Sequence, residues 1–156
     1  MSRRWNRREA LTHGAGAFAG VLAGAVAAGV GLTAGPARAA NDYADQIRAF
    51  TGGRTPVEGG LTIDLPELAE NGNTVPLSVA ADPPAGVRVE EILLLAPANP
   101  NARVIRFRFS AASLPEASTR IRLAQTEDVI AVAKLSDGTF LQASRQIKVT
   151  IGGCGG

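Results

Sequence analysis

One cysteine, Cys154, stands near the end of this 156-residue chain within Gly152-Gly153-Cys154-Gly155-Gly156. Glycine has no Cβ, so the four flanking residues leave the backbone free and put nothing in front of the sulfur. The expectation is a displayed thiol on a flexible arm formed by Gly152, Gly153, Gly155 and Gly156. An unpaired cysteine more often serves as a small apolar filler inside a core. Three extended residues beyond Ile151 span roughly 10 Å, enough for the sulfur to enter a narrow cleft in another protein. The thiolate is the reactive form, and an unperturbed thiol of pKa about 8.5 is only slightly ionised at neutral pH. Activation therefore falls to a partner's cationic or metal groups, which suits a covalent carrier better than an enzyme's own nucleophile. Two other readings stay open: an exported structural or interaction protein joined through an intermolecular disulfide at Cys154, and an incidental cysteine in a disordered tail.

The opposite end carries an export pattern. Arg3-Arg4 and Arg7-Arg8 precede an apolar run from Gly14 to Thr33 that is rich in Ala and Gly, and Ala37-Arg38-Ala39 fits a signal-peptidase site with cleavage before Ala40. Arg7-Arg8 followed by Leu11 favours the twin-arginine route. Residues 1–39 are thus expected to be a cleaved leader, leaving a periplasmic protein with no membrane attachment after export.

Removing the leader changes the chemistry available. Five of the sixteen basic residues leave with one of the fourteen acidic ones, so 11 basic face 13 acidic side chains and the mature net charge is −2. A nucleic-acid role loses its electrostatic basis. His13, the only histidine, also leaves. No Ser-His-Asp or Cys-His site can then be assembled from the mature chain, and histidine-containing zinc or iron sites are excluded. With one thiol, no second cysteine is available to resolve a disulfide. No catalytic residue, metal site or cofactor is expected.

The elements that must carry the arm are mostly strands. A helix is expected from Asp42 to Thr51, capped by Asn41 or Asp42, with Tyr43, Ile47 and Phe50 on one face and Gly52-Gly53 ending it. Strands are expected at Leu61–Leu65, Val75–Ala80, Val87–Ala96, Arg103–Phe109, Thr119–Gln125, Val129–Leu135 and Phe140–Ala143, with a last one through Ile147, Val149 and Ile151. Ser136-Asp137-Gly138 marks a hairpin. Pro83-Pro84 and Pro97–Pro100 read as loops. Arg103, Arg106, Arg108, Arg120 and Arg122 alternate outward, as a solvated face or a basic stripe. The whole predicts a mostly β protein: an immunoglobulin-like antiparallel β-sandwich over residues 40–151, with a short N-terminal helix and a flexible arm at 152–156. Five aromatic residues (Tyr43, Phe50, Phe107, Phe109, Phe140) make a thin core for such a fold, as if a partner covered one sheet.

Three stretches together resemble the SoxY family, the sulfur-carrier subunits of the periplasmic thiosulfate-oxidising Sox system. They are the terminal pentapeptide, the segment Pro66-Glu67-Leu68-Ala69-Glu70-Asn71-Gly72-Asn73-Thr74-Val75-Pro76, and the run from Ser118-Thr119-Arg120-Ile121-Arg122-Leu123-Ala124 to Ala131-Val132-Ala133-Lys134-Leu135-Ser136-Asp137-Gly138. The resemblance implies a heterodimer with a separate SoxZ-like chain and a substrate held as a covalent adduct on Cys154. It further implies a c-type cytochrome that loads thiosulfate, a hydrolase that releases sulfate, and in some organisms a molybdenum-containing sulfane dehydrogenase.

Overall fold

The run Ile92-Leu93-Leu94-Leu95 does not alternate, because both of its faces are covered. In the computed structural model, which describes residues 42–153, strand β5 (Val89–Leu95) lies between β6 (Arg103–Arg108) and β8 (Glu127–Leu135), antiparallel to both. Ile92 and Leu94 point into the main core, whereas Leu93 and Leu95 join a second cluster with Ala102, Ile47, Phe50 and Ile130. Ile47 and Phe50 belong to α1 (Tyr43–Thr51), so the helix packs on the outer face of this sheet. Helix α1 ends where expected, at Gly52, whose φ of 64° is the left-handed conformation that a C-terminal cap requires.

The sandwich has two sheets. The larger runs in the order β1 (Val57–Glu58), β9 (Phe140–Ile151), β8, β5, β6, with β3 (Leu68–Asn71) also pairing β9. The smaller runs β2 (Leu61–Asp64), β4 (Val75–Ala81), β7 (Glu116–Ile121). Their inner faces meet through aliphatic side chains, among them Ile63, Leu77, Val79, Ile92, Leu94, Ile121, Val129, Ala131 and Ile147. The aromatic shortage is met by aliphatic packing, and Phe50 and Phe140 make one edge-to-face pair with centroids 5.9 Å apart. The hairpin between β8 and β9 turns at Gly138, φ 83°.

Three details depart from the sequence expectations. The arrangement is antiparallel except at two ladders, where β1 and β3 run parallel to β9: Val57 faces Leu141 and Ala69 faces Val149. Strand β9 is one continuous strand of 12 residues, not two. Its polar middle, Ser144–Arg145–Gln146, is exposed because β1 pairs only with its start and β3 only with its end. Strand β7 covers Glu116–Ile121 instead of Thr119–Gln125; its last pair is Ile121 with Val75, the first residue of β4, and beyond it no strand partner remains. The outward arginines divide between the two sheets. Arg103, Arg106 and Arg108 lie on β6 of the larger sheet, and Arg120 lies on β7 of the smaller. Glu91 on β5 takes Arg106 at 3.4 Å and Arg108 at 3.5 Å.

The leader, its cleavage site, Asn41, Cys154, Gly155 and Gly156 lie outside the described residues. No helix among the described residues is long and apolar enough to cross a membrane.

Candidate functional site at the end of the last strand

Strand β9 delivers the chain to Gly152 and Gly153, and the backbone there is held from two sides. Gly72, in the turn after β3, donates its N–H to the Ile151 carbonyl at 2.7 Å and accepts the Leu123 N–H at 2.9 Å. Leu123, just beyond β7, in turn accepts the Gly153 N–H at 2.8 Å. Three backbone segments thus close a hydrogen-bonded junction around the exit of β9. Each comes from one of the three stretches that carry the family resemblance: 66–76, 118–124 and the terminal pentapeptide.

The junction leaves no room for side chains. A Cβ on Gly153 would lie 2.5 Å from Asn73 N and from the carbonyl carbon and oxygen of Gly72. A Cβ on Gly152 would overlap the Ala124 carbonyl, lying 3.0 Å from its carbon, and one on Gly72 would lie 2.9 Å from Gly153 N. All of these neighbours are backbone atoms, which cannot turn aside. At both positions only glycine permits this close approach of backbone to backbone. The held backbone therefore extends two residues past the end of β9, to the residue before Cys154.

Polar side chains, two of them buried, support the junction. Asn99, 9% exposed in the loop between β5 and β6, grips the 122–124 segment with both ends of its amide. Its Nδ2 donates to the Arg122 carbonyl and its Oδ1 accepts the Ala124 N–H, each at 2.8 Å. Thr126 Oγ1 accepts the Val149 N–H at 2.9 Å, tying the same segment to β9. Glu127 Oε2 accepts the Ala98 N–H at 2.8 Å, while Oε1 is buried without a hydrogen bond. Burial pushes the Glu127 carboxyl above its ordinary value; the Ala98 N–H opposes the shift and the neighbouring Asp128 charge adds to it. Sequence reasoning gave Asn99 only a loop role, since an amide that bonds another segment's backbone leaves no pattern along the chain.

A separate cavity of about 590 Å³ opens between α1 and β6, lined among others by Gln46, Phe50, Arg103 and Arg106. Arg106 on its wall is already engaged, its guanidinium 5.0 Å from the Phe50 ring centroid and paired to Glu91. Among the described residues no three His, Cys, Asp or Glu side chains gather as a metal site would need.

Residues 47–154 match the family model described as sulfur oxidation protein SoxY. Among solved structures, the sulfur carrier protein SoxY from Chlorobium limicola f thiosulfatophilum is similar at 35% identity and a TM-score of 0.60, over 67% of this chain and 89% of that one. A superoxide reductase (neelaredoxin) from Ignicoccus hospitalis is similar at 18% identity and a TM-score of 0.51, over 58% of this chain and 80% of that one. One from Nanoarchaeum equitans is similar at 11% identity and a TM-score of 0.50, over 60% and 100%. At such identities the two reductases share the fold alone. No curated protein matches the chain. The family match takes in all three segments of the junction and runs on through the cysteine that follows it, and on that evidence the chain belongs to the SoxY family of sulfur oxidation proteins.

Proposed function

We propose that this chain is a periplasmic sulfur carrier, exported by the twin-arginine route, that holds thiosulfate-derived sulfur covalently on Cys154 and presents it to separate enzymes. The observation that carries the reading is the family match through residue 154, joined to a backbone held as far as Gly153. A carrier needs its reactive sulfur at a fixed exit from a stable body, with no bulky neighbour to obstruct entry into another protein's cleft. Tethering replaces a diffusible intermediate by one of high local concentration at each enzyme.

The chemistry divides between carrier and partners. Loading joins the Cys154 sulfur to the outer sulfur of thiosulfate; the thiol proton goes to solvent and two electrons go to a c-type cytochrome, leaving a thiosulfonate. A hydrolase then adds water across the bond to the sulfonate, releasing sulfate and leaving a persulfide. A sulfane dehydrogenase, where present, oxidises the remaining outer sulfur to a sulfonate with oxygen from three waters, passing six electrons to a c-type cytochrome and seven protons to solvent. The carrier supplies the nucleophile and the delivery. A SoxZ-like subunit completes the carrier as a heterodimer.

Cys154→Ser tests this. The variant is expected to fold with wild-type stability and to support no thiosulfate-dependent electron transfer in a reconstituted system. Transfer at the wild-type rate would overturn the proposal.

A further inference from the structure

Asn99 holds the segment against which Gly152 and Gly153 rest. Its amide bonds Arg122 and Ala124, the two residues flanking Leu123. Leu123 bonds Gly72 and Gly153, and the Ala124 carbonyl abuts Gly152. Past Ile121 the segment has left its pairing with β4, so no ladder fixes it. One buried side chain does the work of a missing strand partner. The loop bearing Asn99 is itself fixed, through Ala98, by the carboxylate of Glu127 on β8.

We infer that Asn99 is a positioning residue for the carrier cysteine: it locks residues 122–124 as one jaw of a clamp that closes on Gly152 and Gly153 and sets the point from which Cys154 departs. The inference rests on the carrier reading for its purpose, though not for its geometry. With the jaw released, the departure point moves back along β9 and the tether lengthens. A longer tether lowers the effective concentration of the sulfur at a docked enzyme's site.

The test is Asn99→Ala in the full mature chain, beside Asn99→Asp, which keeps the acceptor for the Ala124 N–H and loses the donor to the Arg122 carbonyl. Residue-resolved hydrogen exchange is expected to show the Gly153 and Leu123 amides exchanging about tenfold faster in Asn99→Ala relative to core amides of β5 and β8, with Asn99→Asp between that variant and wild type. Loading by the thiosulfate-oxidising cytochrome should show a raised KM for the carrier at unchanged kcat. Unchanged relative protection at Gly153 in the variants would overturn the inference, as would an unchanged KM. If Asn99→Ala does not fold, Asn99→Asp decides by the same two readings. Failure of wild-type protein to accept thiosulfate would instead overturn the carrier reading, and the exchange result would stand apart from it.

Discussion

Replacing Gly153 with alanine separates a clamped glycine from a merely flexible one, because only the clamped one loses stability. Gly153 has no positive φ that would exclude a side chain, and in an open tail, as free in the native state as in the unfolded one, alanine would leave stability unchanged. In the structure the new Cβ would stand 2.5 Å from three backbone atoms of Gly72 and Asn73. Relieving that overlap takes a shift of roughly 1 Å, and overpacking of this kind costs about 1–3 kcal/mol. The tail can avoid the strain by leaving the junction, so the loss is limited by what holds it there. The bonds at stake are Gly153 N–H to Leu123 and Gly72 N–H to Ile151, each contributing about 1 kcal/mol. The expected net loss is about 1–2 kcal/mol, or a fall in Tm of about 4–8 °C for a domain of this size. Urea unfolding of the mature protein measures the first quantity, and exchange at the Gly72 and Leu123 amides locates the damage. Equal or higher stability in Gly153→Ala, with those amides protected as before, would refute the clamp.

Other perturbations test the frame around it. Leu94→Ala, at a fully buried position between Ile105 and Ala131, should lower stability by about 2–5 kcal/mol in urea unfolding. Glu127→Gln should flatten the pH dependence. The folded carboxyl titrates above its ordinary value of 4.5, so the native state binds more protons than the unfolded chain in that window, and wild type loses stability as pH rises through it. Urea midpoints from pH 4.5 to 8 should fall more steeply in wild type than in Glu127→Gln; parallel profiles would contradict the account.

Local signals made much of this fold legible. The 3.6-residue spacing of Tyr43, Ile47 and Phe50 before Gly52 marks α1, and Asp137-Gly138 marks the hairpin between β8 and β9. The run through Ile92–Leu95 marks a strand without saying that a helix covers its second face. What the sequence hides is pairing between distant segments. Strand β3 shows only one buried residue, Ala69, and exists because β9 runs beside it. The polar Ser144–Gln146 stretch looks like a break, although β8 pairs along its other side throughout. Gly152 and Gly153 read as freedom because a glycine's neighbours in space are invisible along the chain. Here those neighbours are Gly72, Asn73 and Ala124. The thiol, by contrast, is conspicuous in sequence alone, being the one cysteine in the chain.

The covalent adduct is the most direct test of the carrier reading. Mass spectrometry of protein recovered during thiosulfate turnover should find sulfane and thiosulfonate additions confined to the peptide containing Cys154, removable by a reducing thiol. An unmodified Cys154 throughout turnover, while thiosulfate oxidation proceeds, would contradict it.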